Sequence, residues 1–161
     1  MDIVIVKKGM PGDKEHLENL ARYILDDRKL EYGGNGVNYN NVEDTIDQMN
    51  YVSEYFNKEH RCPLAQIIIA FDESVRSAEA AAQYVRDAAA LIPDEFQSVY
   101  CVHESDRELE MLHGHIMVNA ISTKDGRQFD TSHATMDQFC QDVSEITGND
   151  TRLVYGRNKR P

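Results

Sequence analysis

Short apolar runs that alternate with helical stretches constrain this chain more than any other feature of its sequence. Five runs have the length and residue types of β-strands, namely residues 2–7, 64–71, 98–103, 113–122 and 152–155. Between them, apolar residues recur at helical spacing in residues 14–27, 42–58, 77–91 and 135–147. The order β-α-α-β-α-β-β-α-β predicts an α+β fold with a central, mainly antiparallel sheet of about five strands, covered on one face by helices.

The size and composition of the chain suit one globular domain. It has 161 residues, of which 41% are hydrophobic. No apolar run approaches ~18 positions, so we expect no membrane insertion. The first residues carry no basic region before their apolar run and do not form a secretory signal, so we expect a cytoplasmic protein. Three cysteines without a CxxC pair predict neither a disulfide framework nor a cysteine-zinc site; they are Cys62, Cys101 and Cys140.

The charge of the chain disfavours non-specific binding to duplex DNA. Seventeen Lys and Arg residues stand against 28 Asp and Glu residues, which gives a formal net charge of −11. Residues 150–161 carry a net +3, while residues 1–149 carry −14. Few cations are therefore available to a nucleic acid, namely Arg22, Arg28, Lys29, Arg152, Arg157, Lys159 and Arg160.

Three tyrosines lie where a chemical role is conceivable. Tyr23 lies just beside the apolar stripe of the first helix, near the end of that helix, so its hydroxyl can reach solvent. Tyr32 and Tyr39 flank a Gly- and Asn-rich segment, residues 32–41, that has no periodicity and is predicted to be a mobile loop.

A cluster of histidines carries the most specific chemical signal. Side chains alternate between the faces of a strand, so His113, His115 and Asn119 share one face of the fourth strand-like run. If residues 104–112 connect antiparallel neighbours, His103 lies opposite the start of that run, where Cβ atoms are ~5 Å apart. Three converging imidazoles suit a divalent metal ion with open coordination positions.

The sequence His-Gly-His-Ile-Met-Val-Asn at residues 113–119, followed by Asp-Gly-Arg-Gln-Phe at residues 125–129, resembles the HxHxxxN signature of conjugative relaxases. These are the mobilisation nucleases of the HUH endonuclease superfamily. The order of elements upstream also resembles theirs, and the similarity extends over nearly all 161 residues. The resemblance implies a single HUH-type nuclease domain over residues 1–161, either as the N-terminal part of a longer chain or as a minimal relative.

The resemblance implies a site-specific and strand-specific endonuclease. A tyrosine hydroxyl attacks one phosphodiester of single-stranded DNA at the transfer origin of a plasmid or integrative element, and a 5′-phosphotyrosyl intermediate forms. Tyr23 matches the nucleophile, and His103, His113 and His115 match the ligands of a divalent ion, Mn²⁺ or Mg²⁺. Asn119 matches the last signature position, with an orienting role. The implied partners are the single strand and an accessory relaxosome protein.

Acidic residues near the signature are candidates for supporting roles. Many relatives carry an aspartate two residues after the upstream histidine, where this chain has a serine flanked by Glu104 and Asp106. Either acid could orient an imidazole. Asp72 or Glu73, which follow the second strand-like run, match an acidic residue that relatives often place near the site.

Two other functions compete with this interpretation. A histidine-triad nucleotide phosphohydrolase also uses an HxH strand, but it requires a third histidine where this chain has Met117. A catalytically silent domain that binds a transfer origin, or controls a plasmid, would keep the fold without the chemistry, and the acidic body of the chain favours it.

Overall fold

A computed structural model of the protein describes residues 1–26, 29–103 and 112–156. Within these residues the chain forms six strands and four helices. The strands are β1 (Asp2–Lys8), β2 (Lys29–Asn35), β3 (Leu64–Ala70), β4 (Ser98–His103), β5 (His113–Asn119) and β6 (Thr151–Tyr155). The helices are α1 (Lys14–Ile24), α2 (Val42–Tyr55), α3 (Ala78–Ala89) and α4 (His133–Thr147). No helix in the described ranges is long and apolar enough to cross a membrane.

The strands form one mixed sheet in the order β2-β4-β5-β3-β1-β6. Every neighbouring pair is antiparallel except β1 and β6, which are parallel. The predicted α+β class and the mainly antiparallel sheet are therefore confirmed. The sheet has six strands where the sequence predicted about five.

The additional strand, β2, includes residues 32–35 of the segment 32–41 that was predicted to be a mobile loop, so the prediction was wrong for those four residues. Residues 29–35 pair with β4 at the sheet edge. Glycine suits this position because a Cβ on Gly33 would collide with the Tyr100 ring, and a Cβ on Gly34 would lie 2.7 Å from the Ser98 carbonyl oxygen. The glycines thus permit close approach of β2 to β4, an arrangement that carries no hydrophobic periodicity.

Helices cover both faces of the sheet, so the prediction that they cover one face was also wrong. Helices α3 and α4 pack on the face that includes Ile116 and Val118 of β5. Helices α1 and α2 pack on the opposite face, which includes Met117 of the same strand. Both faces of β5 are apolar in its second half, which is the pattern of a strand buried between two layers.

The helices begin and end at residues that satisfy their free backbone groups. Side-chain oxygens of four N-cap residues accept backbone N–H groups of the first turns; the residues are Asp13, Asn41, Ser77 and Ser132. Gly148 ends α4 in the left-handed conformation at φ 75°.

Asp2 joins the two ends of the described chain. Its side chain is buried at 0% exposure, and its backbone N–H donates to the Asp150 carbonyl at 2.8 Å. Its carboxylate accepts the Asp72 N–H at 2.8 Å and the Thr147 hydroxyl at 2.7 Å. Strand β1, the neighbour of the edge strand β6, is thereby fixed to the connection that precedes β6.

Candidate active site

Three histidines lie on one face of the β4-β5 pair. His103 is the register partner of His113, and Cys101 is the partner of His115, so the predicted pairing of the upstream histidine is confirmed. The ring centroids of His103 and His115 are 5.2 Å apart. This histidine face is the face that α1 and α2 cover further along β5.

Helix α1 brings Tyr23 to these histidines. Its buried stripe packs the helix over the sheet through Leu17, Leu20, Ala21 and Ile24, and Tyr23 lies beside that stripe in the last turn. The Tyr23 ring meets the His103 ring edge to face at 4.8 Å and the His115 ring at 5.4 Å. The tyrosine is 42% exposed, so it borders both the imidazoles and solvent.

His115 is held in the neutral form. Burial, with smaller contributions from His103, His113 and Lys7, lowers the pKa of His115 to about 3. Its Nδ1 is buried and has no hydrogen-bond partner among the described residues. In the tautomer of the neutral ring that carries its proton on Nε2, Nδ1 offers a lone pair that is able to bind a cation.

His103 has a carboxylate and a thiol as neighbours. Its Nε2 lies 3.9 Å from Asp26 Oδ1 and 3.5 Å from Cys101 Sγ. Burial and the nearby Asp26 carboxylate raise the pKa of the Cys101 thiol to about 12, so the thiol stays protonated. Asp26 was not among the residues predicted from the sequence, although it lies only three positions after Tyr23.

The other tyrosine candidates lie at the sheet edge. Tyr32 is the register partner of Cys101 and so faces the same way as the histidines. Its ring contacts that of Tyr39 at 6.0 Å, and its hydroxyl donates to Asn40 Oδ1 at 2.9 Å. Lys29 Nζ lies 4.5 Å from the Tyr32 ring centroid and donates to the Asp26 carbonyl at 3.0 Å, which ties β2 to the end of α1.

Asn119 is not brought to the histidines. It lies at the far end of β5 and is fully buried. Its Nδ2 donates to the Gln97 side-chain oxygen at 2.8 Å and to the Met49 carbonyl at 3.3 Å, and its Oδ1 accepts the Ile121 N–H at 3.2 Å. These bonds join β5 to α2 and to the segment before β4.

The predicted acidic residues divide into two groups. The Asp72 carboxylate pairs with the amino terminus and accepts the Ser74 N–H, and Glu73 is exposed. Glu104 and Asp106 lie outside the described residues.

The cations that the sequence offered for binding DNA do not form one cluster among the described residues. Arg22 pairs with Glu43, which raises the pKa of Arg22 and lowers that of Glu43. Arg152 is exposed on β6, and the remaining predicted cations besides Lys29 lie outside the described residues; they are Arg28, Arg157, Lys159 and Arg160.

The residue types on the histidine face suit a divalent ion, but among the described residues their side chains are not arranged around a common point that an ion could occupy. No group of three or more His, Cys, Asp or Glu side chains within residues 1–26, 29–103 and 112–156 is arranged to hold an ion. The unpartnered and neutral nitrogen of His115 nevertheless provides a ligand of the type that transition metals prefer.

Comparison with known proteins defines the class to which this fold and site belong. The model of the family "Relaxase: MobA/VirD2-like, nuclease domain" matches residues 23–148, which include all five residues predicted for the site. The chain belongs to this family of relaxase nuclease domains, which implies an endonuclease that acts on DNA and is generally metal-dependent.

A solved structure supports the same fold. The structure described as "Molecular Basis of Vancomycin Resistance Transfer in Staphylococcus aureus" matches with a TM-score of 0.53 and 10% sequence identity. The match covers 82% of this chain and 77% of that chain. No curated protein sequence matches the chain.

Proposed function

We propose that this domain nicks one strand of DNA at a transfer origin by transesterification, with Tyr23 as nucleophile. The observation that carries the proposal is the contact of the Tyr23 ring with the rings of both His103 and His115 at 4.8 and 5.4 Å. A helix fixes the position of a hydroxyl better than a loop does, and an in-line attack requires about 3 Å between the oxygen and phosphorus.

The proposed reaction exchanges one phosphodiester bond for another. The Tyr23 oxygen bonds to phosphorus, the bond from phosphorus to the 3′-oxygen breaks, and the proton lost by the tyrosine is balanced by the one gained on the 3′-oxygen. The product is a 5′-phosphotyrosyl protein and a free 3′-hydroxyl. Because the new bond conserves the energy of the broken one, reverse attack can reseal the strand.

In this proposal a divalent ion, Mn²⁺ or Mg²⁺, is held by His103, His113 and His115. When bound, the ion supplies a Lewis acid for the non-bridging phosphate oxygens. Cys101, which stays protonated, and Asp26 flank His103 and limit how its ring turns. Asn119 contributes by holding β5 in place, since its buried amide is engaged with Gln97 and with the α2 backbone.

The open part of the histidine face supports the binding of a single strand beside the tyrosine. Register continues the face from His115 to Ile68, Ile5 and Val154, and these three apolar side chains are half-buried. Unpaired bases can pack on such a surface, whereas a duplex keeps its bases inside. We further propose that residues 1–161 form one domain and that the protein acts in the cytoplasm. In this proposal an accessory protein melts the DNA duplex.

Incubation with single-stranded oligonucleotides and Mn²⁺ tests this function. A random-sequence library labelled at the 3′ end would yield a covalent protein–DNA band, and Tyr23→Phe would abolish that band by removing only the nucleophilic oxygen. Tyr32→Phe and Tyr39→Phe are matched controls that should keep it. A Tyr23→Phe protein that still forms the adduct contradicts the assignment. A folded protein that binds the library without any adduct would instead identify a catalytically silent DNA-binding domain.

A further inference from the structure

A cavity of about 270 Å³ opens at the end of the sheet opposite the histidines. We call it the far-end cavity. Its strand residues are the partners Lys8 and Ala65, together with Leu64, the first residue of β3. His113 pairs instead with Ala70, the last residue of β3, six residues away, so the two sites are about 20 Å apart.

The far-end cavity has an apolar floor. Leu64, Ala65, Ala120 and Phe129 line it, and all four are buried. The backbone around the floor is held in place, because Ala120 N–H donates to the Pro63 carbonyl at 3.1 Å and Phe129 N–H donates to the Ala120 carbonyl at 2.7 Å. A rigid apolar floor that includes an aromatic ring suits a flat ligand.

Polar groups in the wall provide hydrogen bonds. Thr131 lines the cavity and is only 6% exposed, yet its Oγ1 has no hydrogen-bond partner among the described residues. Gln128, also in the wall, donates through Nε2 to the Cys62 carbonyl at 3.0 Å, which leaves its amide oxygen as an acceptor. A buried hydroxyl without a partner is uncommon in a native protein and calls for an explanation such as a bound group.

Cations surround the mouth of the far-end cavity. The cations are Lys8 and Arg61, which line the cavity and are exposed, as is the neighbouring His60, in a chain whose net charge is −11. Neither Lys8 nor Arg61 makes an ion pair within 4.0 Å among the described residues. Hydrogen bonds from Thr135 and Ser132 lower the pKa of the Asp130 carboxyl, and the charge of Lys8 contributes a smaller part of this shift. The cations therefore remain available to an anionic ligand.

We propose that the far-end cavity binds one unstacked nucleotide of a DNA strand, with its base on the apolar floor and its phosphate at Arg61 and Lys8. The volume lies just below the range of pockets for larger ligands and suits a single base. Thr131 and Gln128 present a hydroxyl and an amide oxygen to the edge of the base, and Phe129 offers its ring. This assignment rests on the proposed function, since it takes the bound nucleotide to belong to the strand that the histidine face nicks.

Two variants and a matched control test the far-end cavity in the full chain. Arg61→Ser removes the phosphate contact and should weaken the binding of single-stranded oligonucleotides about tenfold. Thr131→Val replaces the hydroxyl with a methyl group and should weaken it about fivefold without lowering the melting temperature, because no protein hydrogen bond is lost. Arg86→Ser makes the same change of charge on α3 and should leave the affinity unchanged. Binding is measured by fluorescence anisotropy on a labelled random-sequence library.

Titration with single deoxynucleoside monophosphates, followed by the backbone amide resonances, identifies the ligand. The proposal requires shifts at Gln128, Phe129 and Thr131 that inorganic phosphate does not reproduce. Equal shifts with phosphate alone would reduce the site to an anion site and overturn the proposal. Absence of shifts with every nucleotide, or unchanged oligonucleotide affinity in both variants, would also overturn it. Nucleotide binding with unchanged oligonucleotide affinity would assign the site to free nucleotides rather than to a strand.

The same measurements separate this inference from the nicking function. Nucleotide binding at the far-end cavity does not require Tyr23, so a protein that forms no covalent adduct can still show it. Conversely, an intact adduct with no nucleotide binding at the cavity leaves the proposed function standing and removes only the further inference.

Discussion

Asp26 places a carboxylate at the edge of the histidine cluster, 3.9 Å from His103 Nε2. Carboxylates beside ligating histidines fix the ring and raise its basicity, and their loss commonly costs 10- to 100-fold in metal affinity, roughly. We expect Asp26→Asn, which keeps the shape and removes the charge, to weaken Mn²⁺ binding about tenfold in calorimetry. Asp47→Asn, an equally conservative change at an exposed position of α2, is the control. Equal affinities in wild type and Asp26→Asn would exclude a role for Asp26 in metal binding.

The buried neutral His115 should make stability depend on pH. Its pKa falls from 6.5 in the unfolded chain to about 3 in the folded one, so the unfolded state binds the additional proton between these values. The contribution of His115 to stability is therefore present above pH 6.5 and is lost as the pH falls. In the presence of a chelator we expect a loss of about 1.5 to 2 kcal/mol between pH 6.5 and about pH 5.

Urea unfolding of the metal-free protein at several pH values measures this loss. His115→Gln should flatten the profile, whereas His60→Gln, at an exposed position, should leave its slope unchanged. A wild-type profile that is flat between the two pH values would contradict the neutral, buried state.

The individual site residues differ in how far the sequence could locate them. Alternation along a strand and the pairing across a hairpin sufficed for His103, His113 and His115, because both rules depend on the backbone alone. Asn119 shares their face by the same rule, but it lies four positions after His115 along the strand. Asp26 lies three positions after Tyr23, a spacing that was available in the sequence, but its place beside His103 also depends on the path of the chain after α1 ends at Ile24, which tertiary contacts determine.

At the scale of elements, the contact of β5 with α3 depends on Gly114, which lies between two of the histidines. A Cβ at this position would collide with a methyl group of Val85, which is fully buried in α3. Gly114→Ala should destabilise the protein by about 2 kcal/mol in urea unfolding, because a packed core resists added volume. Val85→Ala should relieve the collision, so that the double variant is more stable than the sum of the single effects predicts.

The double-mutant comparison has an internal control. Val143 of α4 is buried in the same core, and its change to alanine should add independently to Gly114→Ala, within about 0.5 kcal/mol. If Val85→Ala combines with Gly114→Ala as additively as Val143→Ala does, the proposed contact of β5 with α3 is wrong.

Strand β2 shows why one element was missed. Hydrophobic periodicity detects strands that bury alternate side chains, and β2 buries little, because its middle residues are glycines and most of its other side chains are exposed. Its position is determined by pairing with β4 and by the Tyr100 ring above Gly33, both of which involve residues more than 60 positions away. Local patterns carry no information about such contacts.

For the whole molecule, the acidic surface limits how DNA binding depends on salt. Release of counterions gives a slope of about −0.7 per neutralised phosphate for single strands. With about four cations available at the histidine face and the far-end cavity, we expect a log–log slope near −3 for binding of an oligonucleotide. Anisotropy titrations at several salt concentrations measure it, and Arg152→Ser should make it shallower by about 0.7 if this exposed cation faces the strand.

Two results would contradict this electrostatic picture. A slope steeper than about −6, or tight binding of a duplex by this chain alone, would require many more phosphate contacts than its exposed cations provide. An unchanged slope in Arg152→Ser would remove β6 from the path of the strand.

The two-layer burial of the sheet was also beyond local sequence patterns. Met117 and Cys101 are apolar residues on the face that carries the imidazoles. A strand with apolar residues on both faces gives the same sequence pattern whether helices cover one face of its sheet or both. The order of helices does not determine the face on which each packs. The outcome is nevertheless important for the site, because α1 must lie on the histidine face for Tyr23 to reach it.

The parallel pairing of β1 with β6, tied by Asp2, has a consequence for how the chain folds. Strand β1, residues 2–8, can pair with β6 only after residues 151–155 have reached it. This pairing closes a loop that contains nearly the whole chain between the two strands. Contacts of such sequence separation slow folding, and the β4-β5 hairpin, whose partners are close in sequence, is expected to form much earlier. The histidines would thus be paired on their hairpin before the sheet beside them is complete.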